Sequence, residues 1–314
     1  MRVHTRKFSW DKAAEEFMRV IRKMMGISVR RFNEQKPLVS VIIPTFNSAR
    51  FLDKCLGSLV EQKYERIEII VVDDGSTDGT VEIAEKYNCK VVKNPRRGRA
   101  EAKNEGVKHS RGDYLLFVDS DMELTPNVVG ECVSLAEKDK HVGGVIIPER
   151  SVGKSFWVRV RDFERSFYAG TVIESARFFP AKLVKEAGGF EEGLVFYEES
   201  TLSYKIWKKG YKVYERIKSV IIHHEESFSL LAWLKKKFYY GKTIQAYEYK
   251  YKDFSRLQRS VQFRFGIFAA DWQRFCSRPQ LAFGVIFLKG MEYLAATLGL
   301  IYSKLTSRNS LRMN

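Results

Sequence analysis

Five short apolar runs, rich in β-branched residues, recur in the first half of the chain and constrain its fold. Segments able to form helices lie between them. Continuous apolar strands that alternate with helices are typical of a mostly parallel sheet covered on both faces. We therefore predict an α/β fold with strands at 39–43, 67–72, 89–92, 114–118 and 142–147, and helices at 50–62, 78–87, 99–109 and 126–138.

The pattern is weaker beyond residue 150. Residues 151–175 are irregular and are predicted to form an insertion. Short helices are predicted near 181–187 and 198–209, and a strand at YKVYE (211–215).

Polar residues follow three of the predicted strands. The first strand ends in PTFN (44–47), the second in DDGSTDGT (73–80) and the fourth in DSDM (119–122). Ligands bind at the carboxyl ends of parallel strands, and clustered carboxylates repel each other unless a cation or donor groups neutralise them. Hard divalent cations prefer oxygen ligands and often share them with phosphates. These ends therefore indicate a site for a metal ion and a diphosphate, although DDGSTDG is also a good turn and helix cap.

The positive charge of the chain is concentrated at its two ends. Of 54 Lys and Arg against 38 Asp and Glu, residues 1–36 hold 10 against 4 and residues 231–314 hold 15 against 4, so the middle is almost neutral. A nucleic-acid-binding protein usually carries its basic patch on the folded domain. Basic flanks that are also amphipathic favour an anionic membrane surface as partner, and no nucleic acid. Solvated charge on ordinary helices is the alternative.

The chain is predicted to divide into three parts. Residues 1–36 contain an amphipathic basic helix at 11–25, residues 37–229 form the α/β domain that carries these strand ends, and residues 230–314 form a helical tail. The tail segment 281–302 is apolar apart from Lys289 and Glu292 and is long enough to cross a bilayer. It is predicted to associate with a membrane, spanning or re-entrant; the alternative is a helical hairpin packed on the domain.

Two features bear on the compartment. The four cysteines are scattered without a CxxC pair, which fits a reducing environment, and the N-terminus shows no apolar signal region. We expect the protein at the cytoplasmic face of the cell membrane.

Five motifs occur in a fixed order: VSVIIPTFN, IIVVDDGSTDGT, RAEAKNEG, GDYLLFVDSDMELTP and GGFEEGLVFYEESTL. In order and spacing they resemble the family-2 glycosyltransferases, over residues 38–225. The resemblance implies a GT-A fold and inverting transfer of a sugar from a UDP- or GDP-linked donor with Mn²⁺ or Mg²⁺. The tail is similar to that of membrane-associated, archaeal-type members that build polysaccharides or lipid-linked glycans.

The resemblance also implies roles for individual residues. Asp119 and Asp121 would bind the metal, with His223 beside them in an IxHxE pattern. Arg177 and Glu174 fall where acceptors bind. The residues implied to contact the nucleotide are Pro44, Thr45, Asn47, Asp73, Asp74, Arg99, Asp119 and Ser120.

The general base is implied to lie in the sequence EES at 198–200. The family usually has the sequence ED there, then one residue of any type and then a second acid, whereas this chain has Glu198-Glu199-Ser200-Thr201. Here Glu199 occupies the base position and Thr201 replaces the second acid, so either Glu198 or Glu199 could take the acceptor proton. The acceptor is expected to be a hydroxyl of a lipid-linked glycan or polysaccharide. A polyprenyl-phosphate glycosyl synthase is the alternative, and a non-catalytic membrane- or nucleic-acid-binding protein ranks below it.

Overall fold

The computed structural model describes residues 36–95, 98–194, 197–225 and 228–312. The predicted helix at 11–25 lies outside these ranges. The strands, in chain order, are β1 (Val39–Thr45), β2 (Ile67–Asp73), β3 (Lys90–Lys93), β4 (Tyr114–Phe117), β5 (Met122–Leu124), β6 (Val145–Ile146), β7 (Glu149–Val152), β8 (Phe178–Pro180), β9 (Glu215–Arg216) and β10 (Ile221–His224).

Helices follow most of the strands and then form the whole C-terminal part. In chain order they are α1 (Ala49–Val60), α2 (Thr80–Lys86), α3 (Arg99–His109), α4 (Val128–Lys138), α5 (Phe156–Arg165), α6 (Ala181–Glu186), α7 (Glu198–Trp207), α8 (Leu230–Lys250), α9 (Lys252–Arg259), α10 (Val261–Ala270), α11 (Trp272–Cys276) and α12 (Pro279–Arg312).

The main sheet has seven strands in the order β3-β2-β1-β4-β8-β6-β9. Strands β1 to β4 pair in parallel, and β8 runs antiparallel between β4 and β6. This confirms the predicted α/β fold with a mostly parallel sheet. Two predicted strands are shorter than expected: 142–147 contributes β6 and 211–215 the start of β9, and an isolated bridge joins Val142 to Lys212.

Strand β1 shows why these runs are mainly apolar. All seven of its residues are buried. Val41 and Ile43 pack on the side of α1 and α4, whereas Ile42 packs on the opposite side against α3 and α7. Because successive side chains of a strand point to opposite faces, a strand covered on both faces has no position for a solvent-facing residue.

A second, three-stranded sheet was not predicted from the sequence. In it β10 pairs antiparallel with β5 and parallel with β7. The register places His223 opposite Met122, one residue after Asp121. The region predicted to be irregular contributes β7 and the amphipathic helix α5 to this part of the fold.

The tail packs on the α/β part of the chain within one compact unit that comprises residues 37–314. Helices α8 and α12 cross closely at two glycines: a Cβ added at Gly241 or Gly299 would lie 2.0 Å from a carbonyl oxygen of the facing helix. The two charges in the apolar segment are buried and paired, because Lys289 Nζ lies 2.7 Å from both Glu292 of its own helix and Glu164 of α5. One face of α12 is therefore packed against the rest of the chain, as expected for the helical hairpin that was the alternative to membrane association.

The opposite face of α12 is apolar and exposed. Its exposed residues recur at helical spacing: Phe283, Ile286, Phe287, Leu294, Leu298, Ile301, Tyr302 and Leu305. Within the described residues, 279–306 is a helix long and apolar enough to cross a membrane by length and composition, and a third of its most apolar window is buried. The segment thus has one face for the domain and one available to a membrane.

Candidate active site

A large cavity lies where the predicted strand ends meet. It has a volume of about 560 Å³, within the usual range for small-molecule sites. The predicted site residues that line it are Pro44, Thr45, Asp74, Arg99, Asp119, Ser120, Asp121, Arg177, Glu198, Glu199 and His223. A smaller adjoining cavity of about 230 Å³ shares Arg177 and Glu199 with it and is lined by Glu174. The structure therefore brings together predicted site residues up to 179 positions apart in the chain, from Pro44 to His223.

Two predicted nucleotide contacts, Asn47 and Asp73, are engaged in holding loops. The Asn47 N–H donates to Ser76 Oγ at 2.9 Å, and its side-chain oxygen accepts from the Thr77 N–H at 2.9 Å. The Asp73 carboxylate is buried and accepts from the Ser76 N–H at 3.2 Å. These bonds tie the loop after β1 to the loop after β2, and a direct nucleotide contact of either residue stays a prediction.

Asp74 is held at the cavity wall by two donors. Asn94 Nδ2 donates to its Oδ1 at 2.7 Å and the Gly98 N–H donates to Oδ2 at 3.2 Å. Gly98 has a φ of 107°, a left-handed conformation that favours glycine, and it directly precedes helix α3. The turn into α3 thus fixes this carboxylate.

The two acids of the DSD sequence have different partners. The Asp119 carboxylate lies 3.4 Å from Arg177 Nη2, whereas Asp121 Oδ2 lies 2.9 Å from His223 Nε2. Burial alone would raise the pKa of Asp121, but the hydrogen bond and charge of His223 lower it. Burial opposes charge on His223 too, yet its two carboxylate partners, Asp121 and Glu225, raise its pKa to about 9.

This donor set fits a divalent cation in part. Among the described residues there is no group of three His, Cys, Asp or Glu side chains arranged to hold an ion. Asp121 and His223 are nevertheless in contact, with Asp119 two residues away on the same turn. Hard cations commonly take one or two carboxylates from the protein and complete their coordination with phosphates and water. The residues present are consistent with that mode of binding.

A cluster of buried charges lies at the start of helix α7. Lys103 is completely buried, and its Nζ donates to Glu199 Oε1 at 2.7 Å and lies 3.6 Å from Glu198 Oε1. Arg99 Nη2 lies 2.9 Å from Glu198, and Arg177 Nη1 lies 3.5 Å from Glu199. The acids at the start of α7 are thus neutralised by two cations from α3 and by Arg177, just before β8, rather than by the helix terminus alone.

The two glutamates differ in ionisation and access. Burial raises the pKa of Glu198, although Lys103 opposes this effect. Burial also acts on Glu199, but Lys103 and then Arg177 hold its pKa well below the usual range. The side chain of Glu199 is 26% exposed and that of Glu198 only 4%. Glu199 is therefore the carboxylate of the pair with the lower pKa and the greater exposure.

Arg177 links the two halves of the cavity. Its guanidinium contacts Asp119 on one side and Glu199 on the other, and Nε donates to Glu149 Oε1 at 2.7 Å. Burial would lower the pKa of Arg177, but Glu149 and then Glu199 raise it well above its usual value. Its predicted contact with an acceptor stays a prediction.

Several lining residues were not identified from the sequence. Arg161 and Arg165 come from α5 in the region predicted to be irregular, and Trp233, Lys236 and Lys237 come from α8 in the predicted tail. Their positions depend on how the tail packs. The sequence held a signal for the buried Lys103, because it lies three residues after Ala100 and four before Val107, on the face of α3 that meets the sheet.

Residues 40–188 match the family model described as Glycosyl transferase family 2. The chain carries a family-2 glycosyltransferase domain. This confirms the resemblance inferred from the five motifs.

Similar proteins agree with this assignment. A hyaluronan synthase of Pasteurella multocida is 32% identical over 147 residues, which cover 45% of this chain and 15% of that protein. A dolichyl N-acetyl-α-D-glucosaminyl phosphate 3-β-D-2,3-diacetamido-2,3-dideoxy-β-D-glucuronosyltransferase of Methanococcus voltae is 27% identical over 240 residues, 65% of this chain and 71% of that protein. The chain thus spans a small part of the first relative and most of the second.

A solved structure supports the fold over nearly the whole chain. The mannosyltransferase PcManGT of Pyrobaculum calidifontis, in complex with GDP-Man and Mn²⁺, aligns with a TM-score of 0.58 and 21% identity, covering 96% of this chain and 88% of that one. The family-2 domain therefore has the predicted GT-A fold.

Proposed function

We propose that the protein is an inverting, divalent-metal-dependent glycosyltransferase that moves a sugar from a nucleotide-diphospho-sugar to a hydroxyl acceptor. The observation that carries this proposal is the position of Glu199. Its ionised carboxylate opens into the same cavity as Asp119 and Asp121, and Arg177 contacts both Asp119 and Glu199. A proton acceptor and a diphosphate site thus lie on opposite sides of one buried cation.

The donor would bind along the ends of β1, β2 and β4. Asp74, fixed by Asn94 and Gly98, can accept a hydrogen bond from an N–H of the base, as uracil and guanine provide. Asp121 and His223, with Asp119, would hold Mn²⁺ or Mg²⁺, whose chemistry is to neutralise the charge that develops on the departing diphosphate. PcManGT, which was solved with GDP-Man and Mn²⁺, makes this kind of donor and ion a reasonable proposal here.

Transfer would proceed by displacement at the anomeric carbon. The acceptor oxygen forms the new glycosidic bond as the bond to the diphosphate oxygen breaks, and the acceptor proton passes to Glu199. Attack from the side opposite the leaving group inverts the configuration. Glu199 is a weak base because Lys103 and Arg177 stabilise its charge, but the acceptor proton becomes strongly acidic once the new C–O bond is largely formed.

The acceptor is proposed to be a lipid-linked glycan or a polysaccharide. A relative acts on a dolichyl-phosphate-linked sugar, and the exposed apolar face of α12 would place the protein at a membrane, at its cytoplasmic face.

A second candidate function is supported by the basic wall of the cavity. Lys236, Lys237 and Arg161 could bind an anionic acceptor, as a polyprenyl-phosphate glycosyl synthase would need.

The proposal is tested with the full chain and a panel of UDP- and GDP-linked sugars. With Mn²⁺ present, a true donor should raise the melting temperature, because a ligand that binds only the folded state stabilises it by mass action. Product anomeric configuration is then read by NMR. No stabilisation by any donor, together with no transfer, would favour a non-catalytic protein; a product of retained configuration would refute the inverting mechanism.

A further inference from the structure

Glu225 lies directly behind the predicted metal ligand His223. Its Oε1 is 3.1 Å from His223 Nδ1, while Nε2 of the same imidazole faces Asp121 at 2.9 Å. The Glu225 side chain is only 9% exposed and also accepts from Ser151 Oγ at 2.9 Å. In histidines that bind a metal through one ring nitrogen, the N–H of the other ring nitrogen usually donates a hydrogen bond to such a carboxylate. This bond fixes the tautomer and the ring orientation. The geometry around His223 has this form.

Glu225 is in turn held by Arg161 of helix α5. The guanidinium donates to Glu225 Oε2, the oxygen that does not face the histidine. Arg161 is largely buried, and its guanidinium stacks over the ring of Trp233 with the central carbon 4.2 Å from the ring centroid. Trp233 belongs to helix α8. Trp233 of the tail thus supports Arg161, and Arg161 holds the Glu225 carboxylate that contacts His223.

The same tryptophan is anchored further out. Its Nε1 donates to Glu292 Oε1 of α12 at 2.8 Å, and Glu292 is paired with Lys289, which reaches Glu164 of α5. The buried charges of the apolar segment therefore fix the position of Trp233. Four consecutive contacts thus connect α12, whose opposite face is apolar and exposed, to His223.

We propose that Glu225 and Arg161 are positioning residues of the metal site, and that helix α8 is part of its scaffold through Trp233. The inference rests on the proposed function, because it assumes that His223 binds the ion. It assigns a role to the acid of IxHxE, Glu225, and to a helix that the sequence indicates only as a basic membrane tail. Association of the tail and competence of the metal site would then depend on one another.

The test uses Mn²⁺ as the probe on the full chain, with UDP and with GDP in turn. Electron paramagnetic resonance gives the Mn²⁺ dissociation constant, and electron spin echo modulation detects the ¹⁴N of a coordinated imidazole. We expect Glu225→Gln to raise the dissociation constant by roughly 10- to 100-fold and to weaken the ¹⁴N modulation. Glu123→Gln is the matched control, because Glu123 contacts the neighbouring His224 at 2.6 Å; it should leave both readouts unchanged.

A second pair of variants keeps the test decisive if Glu225→Gln does not fold. Trp233→Phe keeps an aromatic ring under Arg161 but removes the N–H, whereas Trp233→Ala removes the ring. We expect Trp233→Ala to raise the Mn²⁺ dissociation constant as Glu225→Gln does, and Trp233→Phe, which keeps the ring but lacks the bond to Glu292, to raise it less. Unchanged Mn²⁺ affinity in Trp233→Ala would overturn the role of helix α8.

The outcomes separate this inference from the proposed function. Wild-type ¹⁴N modulation that persists at full strength in Glu225→Gln, with unchanged affinity, would overturn the positioning role and leave the glycosyltransferase intact. Mn²⁺ bound to the natural protein without ¹⁴N modulation would remove His223 from the ligand set, and the inference would fail with that assignment.

Discussion

Replacing Lys103 with methionine should destabilise the fold and move the pH dependence of catalysis. Lys103 is completely buried, and its Nζ lies 2.7 Å from Glu199 and 3.6 Å from Glu198. Removing one partner of a buried ion pair costs about 3–5 kcal/mol, because the other charge is left uncompensated in a poorly solvated place. Arg99 and Arg177 still face the two acids in the variant, so we expect the lower limit, about 3 kcal/mol.

Urea unfolding measures this loss as a shift of the midpoint by roughly 1 M or more. Lys108→Met is the matched control, because Lys108 lies on the same helix and pairs with Glu105 at 2.9 Å but is exposed. Its effect should stay within about 0.5 kcal/mol. Adding Glu199→Gln to Lys103→Met removes the stranded charge, and a double-mutant cycle should give a coupling energy of about 1–3 kcal/mol.

The same variant should alter activity in a defined direction. Lys103 is the strongest of the charges that hold the pKa of Glu199 low, so its removal should raise that pKa. The acid limb of kcat/KM should therefore move to higher pH in Lys103→Met. Stability within 1 kcal/mol of the natural protein, or no coupling to Glu199, would refute the view that Lys103 neutralises the base.

Four further predictions address the metal, the base, the tail and the membrane. Asp121→Ala should abolish transfer and Mn²⁺-dependent nucleotide binding while the melting curve shows a folded protein; retained Mn²⁺-dependent affinity for UDP or GDP would contradict the assignment. Glu199→Gln should lower kcat by roughly 10²–10⁴-fold with donor affinity little changed, as measured by initial rates and titration. If Glu198→Gln is the inactive variant instead, the base is Glu198. If neither variant lowers kcat, the acceptor is a phosphate. Burial lowers the pKa of Lys237 from 10.5 to about 8, against the opposing effect of its Glu292 partner. The unfolded chain therefore binds more protons than the folded one between these two pH values, and the free energy of unfolding should rise by about 3 kcal/mol from the lower pH to the higher. Urea titrations at several pH values measure this rise, and Lys237→Met should remove it. Leu298→Glu, on the exposed face of α12, should reduce sedimentation with anionic liposomes at low salt, and unchanged sedimentation would show that this face does not bind lipid.

How far the sequence predicts the site depends on whether a residue's position follows from local chain geometry. Asp74 and Asp119 come just after two mainly apolar strands, with Asp121 two residues further on, and parallel strands place their carboxyl ends at one edge. Their meeting in one cavity could therefore be predicted. Lys237 could not be predicted in the same way, because a lysine among aromatics is equally typical of a membrane surface and of a cavity wall.

The second sheet is the clearest case that sequence patterns miss. Strands β5, β7 and β10 have three or four residues each, too few for a periodic signal. Their pairing nevertheless brings His223 to Asp121 across 102 residues.

The sequence by itself determined the parallel sheet, the order of its strands along the chain and the acids at its edge. Apolar runs and the turns that end them act over a few residues, so they can be recognised without knowing the rest of the fold. Only the tertiary structure decided that Lys103 neutralises Glu199, that Arg177 joins the two halves of the cavity, and that α8 supplies a wall. Those contacts depend on packing between distant elements, where a buried charge is stable only if the fold brings its partner to it.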